Sequence, residues 1–185
     1  NIASVTFMVP LGLSIAISIR VGQAKGSGNS PDARYIGFAG IFLCIIVMAV
    51  TASIFILVPE NIVGFYTYEE NVRTLAVQLL YMAAIFQLSD GMQVGALGAL
   101  RGLKDTRVPF LANVLAYCGM GLPMAYLLGF HFHFGPVGMW VGLIAGLSIA
   151  GVMHCWRFQI LTRRLLNLPY LEKSADDQIT KLAHL

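Results

Sequence analysis

YIGFAGIFLCIIVMAVTASIFILV, residues 35–58, runs for twenty-four residues without one charged side chain. An α-helix rises about 1.5 Å per residue and the hydrocarbon core of a bilayer is about 30 Å thick, so about 20 apolar residues in one run suffice to cross it. In lipid only helices and closed barrels satisfy their own backbone groups. The run lacks the alternating apolar and polar pattern of a barrel strand. Residues 35–58 therefore read as a transmembrane helix.

Four further runs of the same kind flank it, at 2–19, 73–100, 108–130 and 137–161, each bounded by Pro, Gly, Asn or a cluster of charges. The composition agrees: 57% of the 185 residues are hydrophobic, 11% are charged, and the mean hydropathy is +0.75. A soluble globular domain carries about 25% charged residues. The fold class is all-α integral membrane with five transmembrane helices. The net charge of +3 is small and scattered, which argues against a nucleic-acid partner. The chain opens on Asn1 directly in apolar sequence, and we expect it to be the C-terminal part of something longer.

Five spans force the connecting segments to alternate sides. Arg20, Lys25, Arg34, Arg101, Lys104, Arg107, Arg157, Arg163, Arg164, Lys173 and Lys181 fall on one side, and Arg73 alone falls on the other, with Glu60, Glu69 and Glu70. By the positive-inside rule the basic side is cytoplasmic, so the C-terminus is expected there. We expect residues 1–164 to form the transmembrane unit and 165–185 a cytoplasmic tail. The tail has mixed charge and one weak apolar periodicity, Leu168, Leu171, Ile179 and Leu182, compatible with a short surface helix or a partly disordered end.

Asp90 is the one acidic residue of nine that lies inside a span. An ionised carboxylate at depth costs at least about 2.5 kcal/mol on insertion scales, so such groups face a water-filled path or the bundle interior and mark routes for ions or protons. Asp90 is the candidate for such a site, with Na⁺ as a possible metal ligand partner. The alternative is a permanently protonated Asp90 that joins two helices by a hydrogen bond. Gln87 and Gln93 stand three residues to either side, near the same helical face, with Phe86 on its flank. A polar stripe beside an aromatic suits the lining of a cation cavity; polar bonding between helices explains the glutamines equally well.

The same helix carries Gly91 and Gly95, then Gly98 and Gly102, while the last span carries Gly138, Gly142 and Gly146. Small residues at this spacing let another helix approach closely, either within the chain or between subunits. Pro10 with Gly12, and Gly119 and Gly121 with Pro123, are helix breakers inside spans. Cys44, Cys118 and Cys155 sit in apolar runs without ligand spacing, so neither a disulfide nor zinc is expected. His131, His133 and His154 fall short of a metal site. No catalytic constellation occurs: GSGNS at 26–30 has no P-loop lysine, and no GxSxG or HExxH motif is present. The chain is not expected to be an enzyme.

Two long motifs, VPLGLSIAISIRVGQAKG at 9–26 and FQLSDGMQVGALGALRGLKDTRVP at 86–109, together with the span count, resemble the multidrug and toxic compound extrusion (MATE) transporters, specifically the bacterial NorM-like branch. The similarity runs to about Arg164. That resemblance implies helices eight to twelve of a twelve-helix transporter, that is, most of its C-terminal six-helix lobe. It implies an inner-membrane antiporter that expels cationic amphipathic compounds in exchange for Na⁺ or H⁺, without a cofactor. The expected partners are the lipid bilayer, cationic drug-like substrates and the missing N-terminal helices of the same transporter. Asp90 matches the family's carboxylate of the tenth helix, part of the cation-coupling site; its partner carboxylate belongs to the seventh helix, outside this chain. Two other readings stand beside this one. A lipid-linked saccharide flippase of the same superfamily would call for an Arg or Lys at depth to meet phosphate, and the five spans have none. A non-transporting membrane fragment would make Asp90 merely structural.

Overall fold

The computed structural model describes residues 2–64 and 70–183, and the side chains of 6–64 and 72–167. Among the described residues, five helices are long and apolar enough to cross a membrane: Thr6–Gly26, Ser30–Leu57, Val72–Gly102, Arg107–His131 and Gly135–Asn167. They lie where the apolar runs predict them. The full elements are α1 (Ile2–Gly26), α2 (Ser30–Leu57), the short α3 (Pro59–Gly64) and α4 (Glu70–Gly102). The fourth span follows in four pieces, α5 (Arg107–Val114), a π-helical segment Leu115–Gly121, α6 (Leu122–Tyr126) and a second π segment Leu127–His131; α7 (Gly135–Ala183) completes the chain. Helix thus continues past Arg164 into the stretch expected as a tail, where the side chains of Leu168, Leu171, Ile179 and Leu182 lie outside the described residues.

Local chemistry explains the boundaries. Asn29 caps α2 by accepting the Asp32 N–H at 3.2 Å, while its own amide donates to the Asp32 carboxylate at 2.6 Å, a reciprocal cap around Pro31. Helix α1 ends in a Schellman turn: Asn29 N–H bonds Ala24 O, Gly28 N–H bonds Lys25 O, and Gly28 takes φ +75°. Helix α4 ends in the same way, with Asp105 N–H on Leu100 O and Lys104 N–H on Arg101 O, although the left-handed position is filled by Lys104 at φ +62°. In the fourth span, the Leu122 N–H reaches back five residues to Tyr117 O and the Phe132 N–H to Leu127 O. Pro123 has no N–H to offer, and π-type bonds re-satisfy backbone around such breaks. Pro10, by contrast, stays buried inside a continuous α1.

Helix α4 is the hub, packing against α1, α2, α3 and α7, and α7 in turn holds the fourth span. Its glycines set the distances. A methyl built on Gly91 would stand 2.9 Å from Cys44 O of α2, and one on Gly98 or Gly102 would stand 2.5 Å from Ser14 O or 2.7 Å from Ser18 O of α1. On α7, a methyl at Gly138 would meet the Leu128 carbonyl at 2.7 Å, one at Gly142 would run into the Ala125 backbone, and one at Gly146 would sit 3.0 Å from Gly121. Both small-residue ridges therefore serve contacts within this chain. The buried apolar cluster is correspondingly built of small groups, Ala96, Ala99, Cys44 and Ala33 among them, with Phe158 set against Gly37 and edge-on to Phe38 at 5.3 Å. Large side chains such as Phe42, Leu43, Ile46 and Val50 point outward from α2, where lipid is the solvent.

Replacing Gly98 by Val is expected to destabilise the bundle by about 1–3 kcal/mol, the usual cost of overpacking. Replacing Gly12 by Ala, where nothing lies within 4 Å of the added carbon, is expected to be neutral. A thermal melt in detergent checks both; equal melting temperatures for the two variants would refute the packing role of Gly98.

Candidate functional site

Seven residues of α4, from Gln87 to Gln93, carry the buried polar groups that this helix turns inward. Gln87 is 2% exposed, Asp90 8% and Gln93 7%, so the stripe expected from the sequence faces the bundle rather than lipid. Each glutamine is committed to other helices. The Thr51 hydroxyl of α2 donates to Gln87 Oε1, and Gln87 Nε2 donates to Thr6 Oγ1 of α1 at 3.4 Å. Gln93 Nε2 donates to Asn113 Oδ1 at 2.9 Å, and the Tyr117 hydroxyl donates to Gln93 Oε1 at 2.9 Å, both on the fourth span.

Two further contacts tie α4 to α7. The Ser89 and Ser148 hydroxyls lie 2.7 Å apart, and Phe86 meets Trp140 edge-on with ring centroids 5.6 Å apart. Lower on the helix the Ser14 hydroxyl donates across to Val94 O at 2.8 Å, so this serine bonds α4 and not its own helix. Asp90 stands in the middle of these connections and makes no hydrogen bond or ion pair with any described side chain. Tyr117 lies within electrostatic reach of it. Among the described residues no group of three or more His, Cys, Asp or Glu gathers as a metal site.

The sequence pointed to Phe86, Gln87, Asp90 and Gln93, and the structure brings them to one region of α4. It did not yield their partners Thr6, Thr51, Asn113, Tyr117 and Trp140. Asn113 offered a signal, a lone amide in the apolar stretch VPFLANVL. His131, the last residue of the fourth span, and His133, on the loop after it, are exposed, and His154 is buried with Nε2 3.3 Å from Pro109 O, far along the chain from Asp90.

Residues 1–127 match a family model described as MatE. The multidrug resistance protein NorM of Burkholderia vietnamiensis is 44% identical over 174 residues, an alignment that takes in 91% of this chain and 38% of the relative. A probable multidrug resistance protein NorM of Rhodopseudomonas palustris is 42% identical over 167 residues, 88% of this chain and 35% of the relative. Among solved structures, the eukaryotic MATE transporter AtDTX14 superposes with a TM-score of 0.77 at 22% identity, over 88% of this chain and 38% of that one. An inward-facing multidrug resistance MATE family transporter of the MOP superfamily superposes with a TM-score of 0.78 at 15% identity, over 89% and 39%. At such identities these two structures establish likeness of fold. The chain spans little more than a third of the length of the curated relatives it matches.

The Gln93 network makes a measurable prediction. Asn113→Leu strands the Gln93 amide and is expected to cost about 1–3 kcal/mol, whereas removing both partners in Asn113→Leu/Gln93→Leu is expected to recover part of that loss. Melting temperatures of the two variants in detergent decide it, and a double variant less stable than Asn113→Leu would count against the bond.

Proposed function

This chain belongs to the MatE family, and from that membership we propose that it forms most of the C-terminal six-helix lobe of a secondary multidrug antiporter, which expels cationic amphipathic compounds in exchange for Na⁺ or H⁺. It is an all-α membrane protein and not an enzyme. Residues 1–164 are the transmembrane unit of that lobe and 165–185 its tail. The distribution of Lys and Arg supports a cytoplasmic C-terminus in a bacterial inner membrane. The relatives named NorM support multidrug substrates.

The observation that carries the mechanism is Asp90, buried at the junction of α4 with its neighbours and left without a hydrogen-bond partner among the described side chains. An ionised carboxylate there is costly unless a proton or a cation accompanies it. Loading by the coupling ion removes that cost, and a cationic compound nearby competes for the same charge. Gln87 and Gln93, held by bonds to α1, α2 and the fourth span, fix the helix that presents the carboxylate. The π segment around Tyr117 supplies a place where the fourth span can yield as the charge state of Asp90 changes. Phe86 and Trp140 offer aromatic surface to an amphipathic cation. Outward transport needs the first lobe, against which these helices would rock.

Asp90→Asn keeps size and shape but removes the charge. In the full-length protein, ethidium efflux driven by a Na⁺ or a proton gradient is expected to fall to the level of vesicles without protein, with the variant still present in the membrane. Undiminished efflux would sink the assignment, and comparing the two gradients identifies the coupling ion.

A further inference from the structure

The basic end of the bundle holds a feature that drug efflux leaves unused. A cavity of about 180 Å³ opens between the start of the fourth span and α7, walled by Val108, Pro109 and Ala112 on one side and Met153, Trp156 and Ile160 on the other. Its wall is almost wholly apolar. His154, fully buried, lies against its inner side, and Arg157 stands at its edge. A shallower groove of about 530 Å³, lined by Thr106, Arg107, Phe110 and Leu111, lies next along α5.

The position of these grooves along the membrane normal follows from helix geometry. Counted from residue 137, where the last apolar run begins, about 20 residues of helix cross the hydrocarbon core. The exit therefore falls near Trp156 and Arg157. Trp156 is 67% exposed, as expected of a side chain at the headgroup level. Arg157 gives its Nε to Asp105 at 2.7 Å, and its terminal nitrogens remain for another acceptor. Arg164 follows two turns later on the same face of α7 with Arg163 beside it, and Arg107 borders the second groove; these three are exposed. Apolar walls inside the core thus lead to guanidinium groups at its border, offset among the described side chains by the carboxylate of Asp105.

We propose that this cleft between α5 and α7 is a binding site for an anionic phospholipid, with an acyl chain between Ala112 and Met153 and the headgroup phosphate among Arg107, Arg157 and Arg164. Bidentate hydrogen bonding by arginine suits a phosphate at an interface. An apolar slot in register with those groups distinguishes a seated lipid from the general attraction of basic residues to an anionic leaflet. Because α7 meets α5 here, and Arg157 ties the loop after α4 to α7 through Asp105, a seated lipid would brace the joint at which the fourth span enters the membrane. The site is independent of Asp90 and of the coupling ion.

Native mass spectrometry of the delipidated full-length protein tests the site, with phosphatidylglycerol or phosphatidylcholine of the same acyl chains added back. Phosphatidylglycerol is expected to be retained at least about fivefold better, the discrimination that one basic side chain supplies at an anionic surface. Arg107→Gln/Arg164→Gln, two exposed positions, is expected to erase that preference while leaving the melting temperature of the lipid-free protein unchanged. Ala112→Phe fills the slot and is expected to lower retention of both lipids. Equal retention of the two lipids overturns the proposal, as does a preference that survives the arginine double variant. Glycerol phosphate that displaces the lipid would point to a soluble phosphate ligand instead. A cysteine variant, Ala112→Cys, that cross-links to another segment of the protein would show the cleft to be covered by protein, which also overturns it.

Discussion

The constraint on which the bundle depends is how near α4 lets other backbones come. Within lipid, apolar side chains gain nothing by leaving the solvent, so helices associate through close van der Waals contact and interhelical hydrogen bonds. Gly91 and Gly95 bring α2 up to α4, and Gly98 and Gly102 bring α1 up to it. Only at those distances can short side chains reach across: the Ser14 hydroxyl meets Val94 O, and Thr51 meets Gln87. The glycines and the polar contacts are one device, since the former create the spacing that the latter require.

The same spacing ties the basic end together. Where Gly102 meets Ser18 and Val21, the Lys25 ammonium comes close enough to donate to Leu103 O at 2.8 Å, closing the last turn of α4 from α1. A cation at a helix C-terminus also opposes the negative end of the helix dipole. One residue beyond, Lys104 takes the left-handed conformation usual for glycine, and Asp105 then faces Arg157. The loop between α4 and the fourth span is thereby fastened to α1 and to α7. Arg73 and Glu60 at the opposite end form an exposed pair, which contributes at most about 1 kcal/mol.

Much of this was legible in the sequence, for physical reasons that differ by feature. Spans are written as long apolar runs, so each of the five runs overlaps one helix, although the first run stops at Ile19 where the helix continues to Gly26 and the last at Leu161 where it continues to Asn167. Asp90 declared itself because a carboxylate in such a run is expensive. The glycine spacing showed that helices would meet, but not which ones, because a GxxxG ridge says nothing of its partner. Pairing Gly142 with Ala125 and Gly98 with Ser14 is a property of the tertiary arrangement. Asn113 and Tyr117 were hidden for a similar reason: one amide and one phenol at a four-residue spacing resemble ordinary features of a span until Gln93 is placed opposite them. The π segments were signalled only as breakers, since Gly119, Gly121 and Pro123 mark a weak point without saying which hydrogen-bond pattern repairs it.

Those π segments bear on the asymmetry of the site. On one flank, Gln87 ties α4 to α1 and α2, which are regular helices packed closely on its glycines. On the other, Gln93 ties it to a span whose backbone alternates between α and π turns, and which rests mainly on α7. Among the described residues only the second flank departs from the regular α pattern, with bonds reaching back five residues beside α turns. Under the proposed mechanism, movement that follows loading of the carboxylate would be directed into the fourth span, through Asn113 and Tyr117. At its basic end the same span meets the cleft where Trp156 and Arg157 reach the membrane surface. The span that carries the partners of Gln93 thus reaches from beside the buried acid to the interface at its basic end.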